Sequence, residues 1–343
     1  MTKRERVCRT LLRKSVDTTP YSFDLTGKVM ERLAAYYGCK ADEVHDRIGD
    51  HFLWFYPGQD AGFVPRHTSE GTYTDEFGAL YRNDGVTNEA GDWGALIGHP
   101  LSGPSFEGYT YPDAKRPGRF RSLDGHSMKA QERYRICAMM GLFDRGWHLC
   151  GFENFMMYML SDPDFTNAAL DRALEFNLDI IAQMPDWADG VRFGEDWGQQ
   201  KGLLMGSRLW RGQLKPRLKI LYEAARKRGL DVFIHSCGDI AEIFPDLIEI
   251  GVQAVNPIQP EVMDISFLKR EYGRDMVFYG GLPCQSIIPN GTPEQNLEAC
   301  RSIYKILSED GGYIYGPAGA IPTETPLDNL LVVIDYAEKG YTT

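Results

Sequence analysis

From residue 126 onward, short apolar runs and amphipathic stretches alternate with no polar linker between them. Side chains three or four apart share a helix face and those two apart share a strand face, so the spacing of apolar positions separates the two. On that basis the chain reads as a helix over 127–140 and a strand over 147–152. Next comes a helix opened by Asp162-Pro163-Asp164 that runs through Leu170, Leu174 and Ile181, then a strand over 190–194. A helix with Leu214, Leu218, Leu221 and Ala225 on one face follows, then a strand over 231–235 and a helix over 240–250. Short strands are expected over 254–257 and 276–281. Thr292-Pro293-Glu294-Gln295 has the capping-box pattern with proline at the first helical position, and it opens a helix to Leu307. Residues 312–315 form the last strand, and Thr325-Pro326 opens a closing helix.

The pattern is different at the start. An amphipathic helix is expected over 1–18 with Val7, Leu11 and Leu12 on one side, a short strand over 21–25, and a helix over 27–37 with Val29, Leu33 and Ala34 on one side. Between 50 and 125, Gly and Pro recur among many aromatics: Trp54-Phe55-Tyr56 reads as a strand or strand end and 72–81 as a hairpin. So little helix over so long a stretch suggests a lid or substrate-binding insertion, or else surface loops packed by their own aromatics.

Strand and helix alternate at least five times after residue 145, which predicts a parallel sheet wrapped by helices. The earlier strands bring the total to about eight. The expected architecture is therefore α/β, a TIM (β/α)8 barrel formed by residues 1–343 as one domain, with 50–125 as the insertion. An open doubly wound sheet is the alternative, but neither G-x-G-x-x-G after a strand nor a Walker loop is present.

Composition narrows the function classes. The chain has 343 residues, 43% of them hydrophobic, and a net charge of −11, so neither a nucleic-acid surface nor an anionic membrane is an expected partner. The amino-terminal stretch has no apolar core of a secretory signal, and no apolar run reaches transmembrane length. The seven scattered cysteines read as reduced thiols, and a cytoplasmic protein is expected.

In a barrel, chemistry gathers just past the carboxyl ends of strands. His235 and Cys237 lie two apart at the end of an apolar run, so they face the same way and offer an imidazole and a thiolate, half of a zinc site. Cys284 closes a nearby strand and is the expected third metal ligand, with Glu195 and Asp196 as rivals. Two thiolates and an imidazole suit Zn²⁺ and leave its fourth position open for a ligand. Adjacent carboxyls after a strand also make Glu195 or Asp196 the candidate general acid, because burial beside a second carboxylate raises one pKa. The remaining histidines, among them His51, His67, His99, His126 and His148, show no ligand spacing.

At these residues the sequence resembles the uroporphyrinogen decarboxylase superfamily, and within it the corrinoid-dependent methyltransferases. The resemblance is carried by Phe193-Gly-Glu-Asp-Trp-Gly-Gln-Gln200, His235-Ser-Cys-Gly238, Asn256-Pro-Ile-Gln-Pro260, Tyr279-Gly-Gly281 with Gln285, Gly291-Thr-Pro293, and Thr325-Pro326 with Asn329. It runs from about residue 130 to the carboxyl terminus and is weak before 125. It implies a TIM barrel with zinc on H-x-C and a later cysteine. It also implies methyl transfer, from a small methylated compound, to the cobalt of a corrinoid (cobalamin) carried by a separate protein. Thiol-methylating relatives place the third ligand cysteine after the last strand, where this chain has Ala318, which turns attention to Cys284 and the carboxyls. The Arg-rich signature of the decarboxylases is absent near Pro20.

The expected activity is thus a zinc-dependent methyltransferase, with an aryl methyl ether (O-demethylation) suited to the aromatics Trp54, Phe55, Tyr56, Tyr73, Phe77 and Trp93. The alternatives are a metal-independent decarboxylase or lyase on the same barrel, and a non-catalytic sensor or carrier. No cobalamin-binding D-x-H-x-x-G occurs, so a corrinoid would arrive on another chain.

Overall fold

The apolar runs become the staves of a barrel. The computed structural model describes residues 1–58, 71–82, 94–121, 123, 132–339 and 341. Its strands, in chain order, are β1 (Phe52–Phe55), β2 (Thr72–Thr74), β3 (Leu80–Arg82), β4 (Ala95–Gly98), β5 (Tyr134–Met140) and β6 (Gly190–Gly194). They continue with β7 (Gly198–Gln199), β8 (Gly202–Leu203), β9 (Asp231–His235), β10 (Ala254–Ile258), β11 (Val277–Leu282) and β12 (Tyr313–Pro317). Seven of them form one parallel sheet in the order β1-β5-β6-β9-β10-β11-β12. From β5 onward, helices on the outside connect successive staves, while the connection from β1 to β5 carries the strands β2, β3 and β4.

The eighth stave is irregular. Tyr21 bridges in parallel to Tyr315 and Leu25 to Ile321. Ser22 N–H donates to Tyr315 O at 3.0 Å, and on the other side His51 N–H donates to Tyr21 O at 3.0 Å. Residues 21–25 therefore sit between β12 and the entrance to β1 and complete the TIM (β/α)8 barrel that the alternation of strand and helix predicts.

Period-two alternation divides the staves into two faces. Phe52, Tyr134, Ile136, Phe233, Val277, Tyr279 and Ile314 share one cluster, in which Phe52 stacks on Tyr279 at 5.6 Å and meets Tyr134 edge-on at 5.4 Å. Each such ring pair adds about 0.5–1.5 kcal/mol beyond simple burial. Val7 and Leu11 of the first helix, Lys3–Leu11, join this cluster and plug that end of the barrel. The intervening residues, such as Val191, Val232, Ile234 and Val255, pack outward against the helices. Phe233 faces inward, so His235, two residues on, does too.

Three local expectations are corrected. Of the helix expected over 127–140, residues 134–140 instead form β5, while 127–131 lie outside the described residues. A strand buried on both faces is a continuous apolar run, which periodicity cannot separate from a buried helix. The span 147–152 is not a strand but the end of a helix, Leu142–Cys150, followed by a second, Phe152–Ser161. Leu142, Phe143, Leu149 and Cys150 are the buried face of the first. The opening helix is shorter than 1–18, ending at Leu11, with a capping box between Thr2 and Glu5. The hairpin over 72–81 is present as β2 and β3, which β4 extends to a three-stranded antiparallel sheet. Among the described residues, no helix is long and apolar enough to cross a membrane.

Asp50 fastens the irregular stave. Buried completely, it accepts from Ser22 Oγ (3.1 Å), Phe23 N (3.1 Å) and Phe52 N (2.8 Å), and its Oδ2 lies 3.0 Å from His45 Nδ1. Burial pushes its pKa up, but the bonds from His45 and the two amides outweigh this and leave it below the usual value. His45 moves the opposite way: burial lowers it and Asp50 raises it more.

Asp50→Ala is expected to cost about 3–5 kcal/mol, because it strands the partners of a buried ion pair. The His45 contribution is fully present below the ordinary imidazole value and fades as pH rises through its raised one. The Asp50 contribution is present above the ordinary carboxyl value and fades as pH falls through its lowered one. The pair is therefore strongest between about pH 4 and 6.5. The melting-temperature deficit of His45→Gln should be larger near pH 5.5 than near pH 9; equal deficits would show that the ion pair adds nothing.

Candidate metal centre and active-site cavity

Parallel register sets the site at one level of the barrel: Gly194 pairs with His235, and His235 with Asn256. Glu195-Asp196 and Ser236-Cys237 follow immediately, where two staves turn into loops. These loops interlock. Gln199 and Asp239 form a bridge, with Asp239 N–H donating to Gln199 O at 2.8 Å. A Cβ at Gly198 would strike Cys237 O, and one at Gly238, whose φ is +78°, would strike the backbone of residues 198–199. Both glycines are required for this close approach. Trp197, fully buried edge-on against Trp210 at 5.4 Å, anchors the crossing from below.

The interlock brings Asp196, His235 and Cys237 together. One ligand atom from each lies within 4.8 Å of the others. Cys237 Sγ is 3.6 Å from His235 Nε2, and Asp196 Oδ1 is 3.8 Å from the same nitrogen. A tetrahedron around Zn²⁺ with arms of about 2.0–2.3 Å has edges of about 3.3–3.8 Å, so this imidazole, thiol and carboxylate fit a zinc ion with one position open. Backbone and side-chain bonds hold the three in place. Cys237 N–H donates to Asp196 Oδ1 at 3.0 Å, and His235 Nδ1 lies 2.7 Å from Asn256 Oδ1. With Asn256 Oδ1 as acceptor, the Nδ1 proton is spent there and Nε2 keeps its lone pair for a metal. Burial, and then the charge of Asp196, push the Cys237 thiol up to about 12, so a bound cation would be what turns it into a thiolate.

The other expected site residues stand elsewhere. Cys284 is buried, outside the group of three, and its thiol faces Gly319 O at 3.5 Å. Desolvation raises its pKa strongly. Glu195 points away from Asp196, as neighbours on an extended chain must. It is fully buried and accepts from Leu142 N (2.6 Å) and Phe143 N (3.0 Å), the first amides of the helix Leu142–Cys150. A carboxyl group there meets the positive end of the helix. Burial and then Asp144 nevertheless raise its pKa well above the usual value.

That helix carries what sequence reading missed. Asp144 Oδ1 accepts from Asp196 N (3.2 Å) and from the Trp147 indole (3.0 Å). Burial, then the neighbouring Asp196, push its carboxyl up to about 7. His148 Nδ1 is 2.9 Å from Tyr81 Oη on β3, and burial holds its imidazole down to about 3. No helix was expected over these residues, so their one-sided spacing carried no signal. Asn256 was legible as a polar residue in an otherwise apolar run, within the quoted Asn256-Pro257 motif.

A cavity of about 570 Å³ opens over Asp196 and His235. Its walls are the ends of β5 and β6, the helix Leu142–Cys150, and residues of the β2–β4 sheet, including Tyr73, Tyr81 and Leu96, with Phe77 from the turn between β2 and β3. Of the aromatics expected at a binding site, Tyr56, Tyr73 and Phe77 line it. Trp54 instead stacks under the Arg192 guanidinium at 4.3 Å, Phe55 packs in the core, and Trp93 lies outside the described residues.

A family model described as uroporphyrinogen decarboxylase (URO-D) matches residues 136–340. A methylated-thiol–coenzyme M methyltransferase of Methanosarcina mazei is 25% identical over 248 residues, covering 70% of this chain and 65% of that protein, just under two thirds of its length. A solved methyltransferase structure from Methanosarcina mazei superposes with a TM-score of 0.73 at 18% identity, covering 100% of both chains, which establishes the shared fold.

Gly141 lies where a side chain would collide with Glu195, since its Cβ would overlap the carboxyl carbon, and its φ of −79° suits any residue. Gly141→Ala is therefore a purely steric test of the Glu195 contact. It should destabilise by about 3 kcal/mol, read as a lower denaturation midpoint. A variant as stable as the parent would mean that Glu195 does not hold this helix.

Proposed function

The chain belongs to the uroporphyrinogen decarboxylase family, and from that premise we propose that it is a methyltransferase of the corrinoid-dependent branch. In this reading it moves a methyl group from a small methylated substrate to the cobalt of a corrinoid carried by a separate protein. The observation that carries it is the convergence of His235, Cys237 and Asp196 at one corner of a cavity large enough for a small organic molecule. Support comes from the methyltransferase named among its relatives.

His235 Nε2, Cys237 Sγ and Asp196 would hold Zn²⁺, which when bound supplies Lewis acidity at the heteroatom that loses its methyl group. The chain's own groups do the rest. Asn256 orients the imidazole, and the Cys237 amide holds Asp196. Asp196 serves as ligand while Glu195 holds the helix. Asp144 is the carboxyl placed to hand a proton to the leaving atom: it lines the cavity, and its Oδ2 carries none of the hydrogen bonds described. The apolar walls keep that exchange away from bulk water. Aromatic side chains on the insertion favour a methoxylated ring as substrate.

Purified protein is expected to carry about one zinc per chain. His235→Ala and Cys237→Ala should lose both metal and methyl transfer to a corrinoid acceptor, whereas Cys284→Ala should keep the metal. Metal-free parent protein with full activity, or release of CO₂ in place of methyl transfer, would overturn the reading. Asp144→Asn should lower kcat by about 10²–10⁴-fold with zinc content intact. Unchanged kcat would remove Asp144 as the proton donor.

A further inference from the structure

The cavity is lined by three arginines whose bonding differs. Arg119 has both terminal nitrogens engaged: Nη1 meets both Glu76 oxygens at 2.7 and 2.8 Å and Gly58 O at 3.0 Å, while Nη2 reaches Asp113 O at 3.0 Å, leaving only its buried Nε without a partner among the described residues. It braces the insertion. Arg192 reaches Asn256 Oδ1 at 3.3 Å and lies over Trp54, so it supports the residue that orients His235.

Arg145 is different. A guanidinium carries five N–H donors in a planar fork. This one is held flat on the Phe77 ring at 3.4 Å, its side chain is only 12% exposed, and it makes no side-chain hydrogen bond among the described residues. Its Nη1 is buried without a hydrogen-bond partner. Asp75 stands 3.8 Å away, beyond hydrogen-bond reach. That carboxyl is already engaged: Oδ1 accepts from Phe77 N and Ala79 N at 2.9 Å each, and Oδ2 faces Tyr81 Oη at 3.5 Å. A buried cation with open donors is costly unless something pairs with it. Phe77 supplies a face for the cation but no acceptor. Arg145 lines the cavity, so an acceptor arriving there meets its guanidinium.

We propose that Arg145 binds a carboxylate of the substrate, and that the methyl donor is a small organic acid with an apolar, ring-sized body. Its carboxylate lies on Arg145 between Phe77 and Tyr81, and its methylated atom is directed toward Asp196 and His235. A planar carboxylate matches the guanidinium fork with two parallel bonds. Phe176, Ile180 and Met139 supply the apolar lining for the body. His148, beside Tyr81, is held neutral by burial, and burial also raises the pKa of Asp75, the carboxyl nearest Arg145. The inference deepens the methyltransferase reading and shares its cavity, but its test needs no turnover.

The probes are 4-methoxybenzoate and its neutral isostere 4-methoxybenzamide, titrated calorimetrically against the purified full-length protein. The acid is expected to bind at least about tenfold more tightly than the amide, from the charge-assisted fork. Arg145→Gln should remove that preference while leaving amide affinity and zinc content as in the parent, and Arg145→Lys should restore part of it. Acid bound no better than amide by the parent protein would overturn the proposal. So would a preference that survives Arg145→Gln but disappears in His235→Ala, because the carboxylate would then sit on the metal. Failure of methyl transfer with the acid preference intact would count against the proposed reaction and leave the Arg145 site standing.

Discussion

Two hydrogen bonds that Glu195 accepts from the first amides of a helix tie together both walls of the cavity. Glu195 follows β6 directly, so its backbone aims Asp196 at His235 and Cys237 on the neighbouring stave. Its side chain, pointing the other way, fastens the helix that presents Asp144, Arg145 and His148. Neither wall can shift without the other. Gly141 leaves room for the contact, and burial makes it expensive to break. The adjacent carboxyls thus have different tasks because consecutive side chains of an extended segment face opposite ways.

Around that tie the cavity separates two kinds of chemistry. At one end a histidine, a cysteine and an aspartate share a volume the size of a zinc coordination sphere, with Asn256 and the Cys237 amide holding them. At the other, Arg145 rests on Phe77 and a three-stranded sheet forms the roof. Asp144 lies between. In the reading proposed here, such an arrangement orients a small molecule along one axis, anchoring it remotely and exposing its reacting atom to metal and acid. Positioning of this kind is a large part of what an enzyme can contribute to a displacement.

Much of this was legible from residue patterns. The alternation of strand and helix located the staves after residue 190 to within a residue or two, and the two-residue spacing of His235 and Cys237 placed them on one face. The segment 134–152 reads wrongly, because β5 is largely buried on both faces and the helix after it begins at a cap supplied from residue 195. That cap lies fifty-three positions away and leaves no local mark. Asp144, Arg145 and His148 were hidden by the same error.

By itself the sequence determined the barrel, the imidazole–thiol pair and the presence of carboxyls at the next stave, since each follows from local periodicity and from which side chains are neighbours along a strand. Only the tertiary structure decided which carboxyl faces the pair, that Cys284 lies outside the group of three, and that Arg145 stands in the cavity wall without a side-chain hydrogen bond among the described residues. Those outcomes depend on how loops from different staves interlock and on which distant backbone amides claim each oxygen. No pattern within a single stretch of chain records such a competition.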